Sequence, residues 1–271
     1  ILAHRIVWSH VFLLLLITLR VRWFALRRIL QQPRKLLILA ATAILVSSNW
    51  FVYIWAVTHD QILQASLGYF INPLVIVLLG FVFLREQLAR IEWAAVAIAA
   101  VGVAWLVVAA GVLPWISLCL AFSFGLYGLL RKVVGVDSVE GLAIETAVVL
   151  PVALVYLGGL KMQGTISFTV VSTETDLLLA AAGIVTATPL IWFAIAVRRL
   201  RLATIGILQY LAPTLQFLLA VLVYREPFGS DRLVAFLLIW VALALYTFGM
   251  VRRTTAHEEV DTVPAALSGR D

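Results

Sequence analysis

Cysteine is almost absent. A single residue, Cys119, stands in an apolar run, which excludes an internal disulfide and any multi-cysteine metal site. Charge is scarce as well: Asp, Glu, Lys and Arg make up 13% of the 271 residues, about half the share of a soluble domain. His4, His10, His59 and His257 are scattered without metal-ligand spacing, so no metal site is expected. No Gly-rich phosphate loop, H-E-x-x-H or G-x-S-x-G occurs, and no catalytic residue or cofactor is assigned. Long polar stretches are missing too. Gaps such as Ala89–Glu92 and Arg198–Leu202 are too short to hold a soluble domain and join neighbouring helices as antiparallel hairpins.

What fills the chain is apolar surface: 63% of residues are hydrophobic and the mean hydropathy is +1.07. This is the composition of an all-α polytopic membrane protein whose solvent is the lipid bilayer. About nine spans are predicted, given the ~20 residues a helix needs to cross. They cover 4–21, 36–57, 64–84, 92–110, 114–130, 141–160, 177–197, 203–224 and 232–251. The polar stretch 252–271 is predicted to be a disordered cytoplasmic tail. The net charge of +6 reflects orientation rather than nucleic-acid binding, because the basic residues sit in alternate gaps. One set holds Arg20, Arg22, Arg27, Arg28, Arg34, Lys35, Arg85, Arg90, Arg131, Lys132, Arg198, Arg199, Arg201, Arg252 and Arg253; the opposite gaps hold Lys161, Arg225 and Arg232. The basic set is predicted to be cytoplasmic, with the C-terminus on that side.

An internal repeat organises the spans. Ser66–Glu86 (SLGYFINPLVIVLLGFVFLRE) and Gly206–Glu226 (GILQYLAPTLQFLLAVLVYRE) are versions of one another, offset by 140 residues. Each has an aromatic residue three positions before a proline, Phe70 before Pro73 and Tyr210 before Pro213, and each ends in Arg-Glu. In the same register Asn49–Val57 lies over Pro189–Val197, and 141–160 over 4–21. The span 114–130 falls on positions before residue 1, so the expected architecture is two five-helix halves, 1–110 and 114–251, with the first helix missing. An odd number of spans inverts one half relative to the other, the arrangement of many secondary transporters.

The candidate site follows from the repeat. A proline inside a helix frees the carbonyl four residues earlier, here Tyr69 and Gln209, and a free carbonyl in lipid must find a partner or line a wet cavity. Pro73 and Pro213 are therefore candidate hinges. Tyr69 and Asn72 on one kinked helix, and Gln209, Tyr210 and Gln216 on the other, are candidate substrate-binding residues. Asn49, Trp50 and Trp192, inside the neighbouring repeat-related spans, are candidate substrate-binding residues too, the two tryptophans as walls. For each of these, helix–helix hydrogen bonding or packing is the competing reading. Ionisable groups within spans are functional candidates by default, which singles out Arg5 and Glu145 as coupling candidates, Glu145 as a carrier of a coupling proton. Orientation puts those two towards opposite sides of the membrane. Capping or bonding to a neighbouring helix competes for Glu145, and snorkelling to the interface for Arg5.

The residues also carry a resemblance. They are His4-Arg5 with Trp8-Ser9, Asn49-Trp50 with Ile54–Val57, Ala65–Leu74, Leu84 and Glu86. They continue with Ala121–Phe124, Tyr127-Gly128, Arg131-Lys132, Ile144–Thr146, Arg199–Leu202, Gln209-Tyr210, Pro213-Thr214 and Phe217–Val221. In these the chain resembles the RarD-like (chloramphenicol-sensitivity protein) branch of the EamA group, in the drug/metabolite transporter superfamily. The resemblance implies a bacterial inner-membrane permease of ten helices with both ends cytoplasmic, moving a small organic metabolite or drug. A membrane-embedded lipid-modifying enzyme and a non-transporting membrane subunit are the alternatives. The enzyme needs a cluster of His, Asp or Glu at one membrane face, which the sequence lacks.

Overall fold

A computed structural model describes residues 2–111, 115–164, 168, 170, 172–219, 222 and 230–261. Helices make up the fold: α1 Leu2–Leu19, α2 Trp23–Leu30, α3 Pro33–Thr58, α4 Ile62–Leu84, α5 Arg90–Ala110 and α6 Trp115–Val134. Then come α7 Ser138–Met162, α8 Thr173–Arg199, α9 Leu202–Gln209, α10 Leu211–Leu218 and α11 Ser230–Asp261. Among the described residues, eight helices are long and apolar enough to cross a membrane. Their ends carry ordinary signals. Pro33 opens α3, where its missing N–H costs nothing. The Ser172 hydroxyl accepts the Thr175 N–H at the start of α8 (3.1 Å). Gly111 closes α5 at φ 65°.

Three expectations need correction. The span expected over 203–224 is not one helix: it breaks at Tyr210 into α9 and α10. Pro213 stands in the first turn of α10, where a missing N–H is tolerated, so the chain restarts a helix there instead of bending through it. Residues 23–30 form a short helix that hydropathy overlooked, because its arginines dilute the apolar signal. The tail expected from 252 does not begin there, since α11 runs on to Asp261. Polarity removes a segment from the bilayer but does not unwind it, and the first proline after α11 begins is Pro264. Residues 262–271 and the Arg225-Glu226 pair lie outside the described residues.

The packing follows the repeat. A shift of 140 residues carries α1 onto α7, α3 onto α8, α4 onto α9 with α10, and α5 onto α11. The halves meet through α1–α7, α4–α9 and α5–α11, each a contact between equivalents, while α1–α8 and α3–α7 exchange with one another. A two-fold relation between the halves requires that pattern. In this register α6, which packs on α3 and α4, has no counterpart within the chain. Two large apolar clusters dominate the interior, with three smaller ones beside them among the described residues. One gathers Ile76, Leu202, Ile207, Tyr210 and Ile239 around α4, α9 and α11. The other gathers Leu13, Ile17, Leu39, Tyr127 and Leu142 around α1, α3, α6 and α7.

Candidate functional site

The candidate region lies where α9 crosses α4. At Gly206 a Cβ would stand 2.6 Å from the Pro73 carbonyl oxygen and 2.9 Å from Val77, so only glycine permits this approach. The crossing carries Tyr210 to its own repeat equivalent: its hydroxyl donates to the Phe70 carbonyl at 3.1 Å. That carbonyl neighbours the one Pro73 strips of its helical donor, at Tyr69. Beside it, Asn72 Nδ2 donates to Gln209 Oε1 at 2.5 Å. The other end of the Asn72 amide, Oδ1, is buried with no hydrogen-bond partner among the described residues. Asn72 is near the centre of α4, so the crossing lies at mid-membrane depth.

The remaining candidates are dispersed. Tyr69 is 44% exposed and meets Tyr53 of α3 edge-to-face at 6.0 Å. Tyr210 is fully buried and acts as a clamp between the halves. Asn49 donates to the Leu120 carbonyl and to Ser123 Oγ, both at 2.9 Å, which ties α3 to α6 as the helix–helix reading anticipates. Trp50 packs against the α1–α3–α7 core. Trp192 is 68% exposed, on the side of α8 opposite its buried Leu190 and Ala194. Gln216 is exposed on α10, and the break at Tyr210 separates it from Gln209. Phe51, Val52, Trp55 and Trp115 line an apolar cleft of about 240 Å³ between the C-terminal part of α3 and the N-terminus of α6.

Glu145 has partners that sequence reasoning missed. Its Oε1 accepts from the Thr42 hydroxyl at 2.7 Å and lies 3.4 Å from Arg131 Nη1; its Oε2 accepts from Tyr127 at 3.4 Å. Both side chains of the ion pair are sealed from solvent, and Arg131 keeps its Nε and Nη1 without hydrogen bonds among the described residues. At the next residue of α7, His10 Nδ1 and Thr146 Oγ1 are 2.9 Å apart. Arg131 reads in the sequence as one more basic residue at a helix end. The signal available was its place within the last turn of an apolar span, opposite an in-span acid. Arg5 is half-buried, with its Nε buried and unbonded among the described residues.

The basic ends of the helices are laced across the two halves. Arg85 closes α4 in a left-handed turn (φ 53°), which sends Glu86 back over Gly80 and onto the start of α9. There its two carboxylate oxygens accept the N–H groups of Leu202 (2.7 Å) and Ala203 (2.9 Å). A carboxylate at a helix N-terminus meets both free donors and the positive end of the dipole. Arg201, just before α9, reaches to Glu92 of α5 (3.1 Å) and to the Gln87 carbonyl (2.7 Å). Arg22, after α1, pairs with Glu140 at 2.5 Å and with Asp137, which also pairs with Arg198. The guanidinium groups of Arg198 and Arg22 hold the Asp137 carboxyl below its ordinary range, against the opposing effect of its partial burial.

A chain of antiparallel apolar helices in two inverted halves, meeting at a broken helix with polar side chains at mid-depth, defines a class: two-repeat membrane carriers. The comparisons give the branch. The EamA-like transporter family matches residues 1–108. Protein RarD of Escherichia coli (strain K12) is 46% identical over 258 residues, covering 94% of this chain and 87% of that protein. An uncharacterized transporter of Bacillus subtilis (strain 168), YojE, is 47% identical over 259 residues, 93% of this chain and 85% of that one. A "Chloramphenicol-sensitive protein RarD" of Pseudomonas aeruginosa is 35% identical over 90% of this chain and 83% of its own length. A solved crystal structure shares the fold, with a TM-score of 0.68, 21% identity, and coverage of 91% of this chain and 86% of its own. The chain therefore belongs to the RarD branch of the EamA-like transporter family, as multi-pass membrane proteins.

Proposed function

We propose that this chain is a secondary transporter of a small organic solute, working by alternating access in a bacterial inner membrane with its basic helix ends and C-terminus in the cytoplasm. The solute site is the α4–α9 crossing, with Tyr69, Asn72 and Gln209 as its polar contacts and Pro73 and Pro213 as its hinges. The observation that carries this reading is the Asn72 amide: one end is bonded to Gln209 across the two halves, the other is buried at mid-depth without a partner among the described residues. A buried polar atom left unpaired costs about 1–3 kcal/mol. A hydrogen-bonding solute removes that penalty, and does so between the two bodies whose relative motion carries it. The inter-half bonds of Glu86 and Arg201 sit at the basic end, so this conformation is the one closed to the cytoplasm. The aromatic pair Tyr53 and Tyr69 suits a solute with an apolar or ring-bearing body. Glu145 is the coupling group, its proton exchange sensed by Arg131 and Tyr127 in the same core.

The test is solute flux into proteoliposomes. A panel of amphipathic and aromatic solutes, with chloramphenicol included because one relative is named for it, is screened by thermal shift, and hits are followed by uptake. The double variant Asn72→Ala/Gln209→Ala removes both partners together and leaves neither orphaned. It is expected to lose at least tenfold in uptake while keeping the wild-type yield of folded protein. Unchanged uptake sinks the assignment of the crossing. Turnover of a lipid substrate without any gradient would instead favour a membrane-embedded enzyme.

A further inference from the structure

Between the start of α2, the beginning of α3, the α6–α7 turn and the end of α8 lies a hollow of about 210 Å³. Its charged walls are Arg22, Arg28, Lys35, Arg198, Asp137 and Glu140. Asp137 and Glu140 are already engaged by Arg22 and Arg198. Arg28 and Lys35 face no carboxylate in an ion pair among the described residues. Four cations against two carboxylates leave the hollow with a formal charge of +2. The Arg28 guanidinium lies over the Phe24 ring, 4.9 Å from its centroid, a stacking that keeps the N–H edge of the fork free for an anion.

Helix α2 sets the depth of this hollow. Leu26 and Ile29 are buried against the core, while Trp23, Phe24 and Leu30 are turned outward, 42%, 69% and 51% exposed. A basic helix with apolar and aromatic side chains facing away from the protein suits the plane between lipid headgroups and acyl chains. The hollow therefore opens at headgroup level, beside side chains that acyl tails can cover. Basic recesses between spans at the cytoplasmic face are suited to anionic headgroups.

We propose that this hollow binds the phosphodiester of an anionic glycerophospholipid, in the cytoplasmic leaflet given the orientation above. Arg28 and Lys35 hold the phosphate from the first half, and Arg198 approaches it from the second. The bound lipid thus bridges the halves at the end where the structure is closed. Inorganic phosphate and glycerol phosphate share the anion chemistry, but neither makes use of the exposed apolar face of α2.

The full chain, purified in a neutral maltoside detergent, is titrated separately with phosphatidylglycerol, phosphatidylcholine, glycerol 3-phosphate and inorganic phosphate while its melting temperature is followed. Phosphatidylglycerol is expected to raise the melting temperature and phosphatidylcholine to leave it in place. Arg28→Gln/Lys35→Gln is expected to weaken the apparent affinity for phosphatidylglycerol about 30-fold, from roughly a tenfold or smaller effect for each surface charge removed. Arg27→Gln, outside the hollow on the same helix, is expected to keep the full response and so controls for damage to α2. Equal stabilisation by phosphatidylcholine, or an undiminished response in the double variant, overturns the site. Glycerol 3-phosphate or inorganic phosphate acting at the same concentrations overturns the lipid as its occupant.

Discussion

Glu145 is the residue whose role most needs dissection, because two explanations of its burial make different predictions. A buried ion pair contributes little net stability when intact, but removing one partner strands the other at a cost of about 3–5 kcal/mol. Glu145→Gln leaves Arg131 in that position, so the variant is expected to melt well below the wild type. Arg131→Met combined with Glu145→Leu, which removes both charges, should recover most of the loss in a thermal melt. If Glu145 also carries the coupling proton, neither variant regains uptake driven by a pH gradient, yet both retain exchange of solute down its own gradient. Pairing without coupling would leave the stability-recovered variant with wild-type pH dependence. Glu145 was legible in the sequence as an acid inside a span; its partner was not, because Arg131 reads equally well as a residue that orients the chain. Outside the membrane, Asp137 makes a second prediction. Its carboxyl is held below the ordinary range, so the stabilisation is complete above the unfolded value, about 4, and is lost as pH falls through the lower folded one. Asp137→Asn is expected to flatten that acid limb in melts between about pH 5 and pH 3.

At the scale of helices, the matched prolines turn out to be unequal. Pro73 sits within an unbroken α4, whereas Pro213 starts a new helix after the turn at Tyr210. The sequence register located both, since the spacing of aromatic residue and proline is the same in each. It did not distinguish them, because the difference lies in the neighbours: Gly206 lets α9 settle on the Pro73 carbonyl, and Tyr210 bonds across to Phe70. Gly206→Ala places a methyl group 2.6 Å from a backbone oxygen that cannot swing aside. It is expected to destabilise by about 1–3 kcal/mol and to depress uptake. Gly158 is the control, since nothing stands within 4 Å of a Cβ there. Gly158→Ala should be neutral or gain up to about 1 kcal/mol, read in the same thermal melt. A Gly206→Ala variant as stable and as active as Gly158→Ala would mean that the close crossing is not needed. Helix α2 escaped the sequence reading for a different reason: hydropathy finds helices that cross a bilayer, not short ones that lie along its surface.

For the molecule as a whole, the repeat was the most informative property of the sequence, because a register of 140 residues already pairs helices with their equivalents, though it does not say which pairs meet. The latch at the basic end was invisible to it. Glu86 reads as half of a polar pair ending a span, and its target is a helix N-terminus that exists only because Leu200 and Arg201 are extended before α9. Hydrogen bonds to a charged group contribute about 1.5–3 kcal/mol each. Losing part of that is enough to shift a two-state carrier by a factor of ten or more. The consequence can be measured from the basic side. In a Cys119→Ser background, a cysteine placed at Thr204, buried on α9 near the latch, reports opening through its rate of alkylation by a membrane-impermeant maleimide. Glu86→Gln keeps one acceptor but loses the charge, and is expected to raise that rate about tenfold; Glu86→Ala removes both acceptors and should raise it further. A solute that binds the conformation closed at the basic end should slow alkylation again in both variants, by mass action on the same equilibrium. Rates that stay at the wild-type value in folded Glu86→Ala protein would show that Glu86 caps α9 without holding the two halves together.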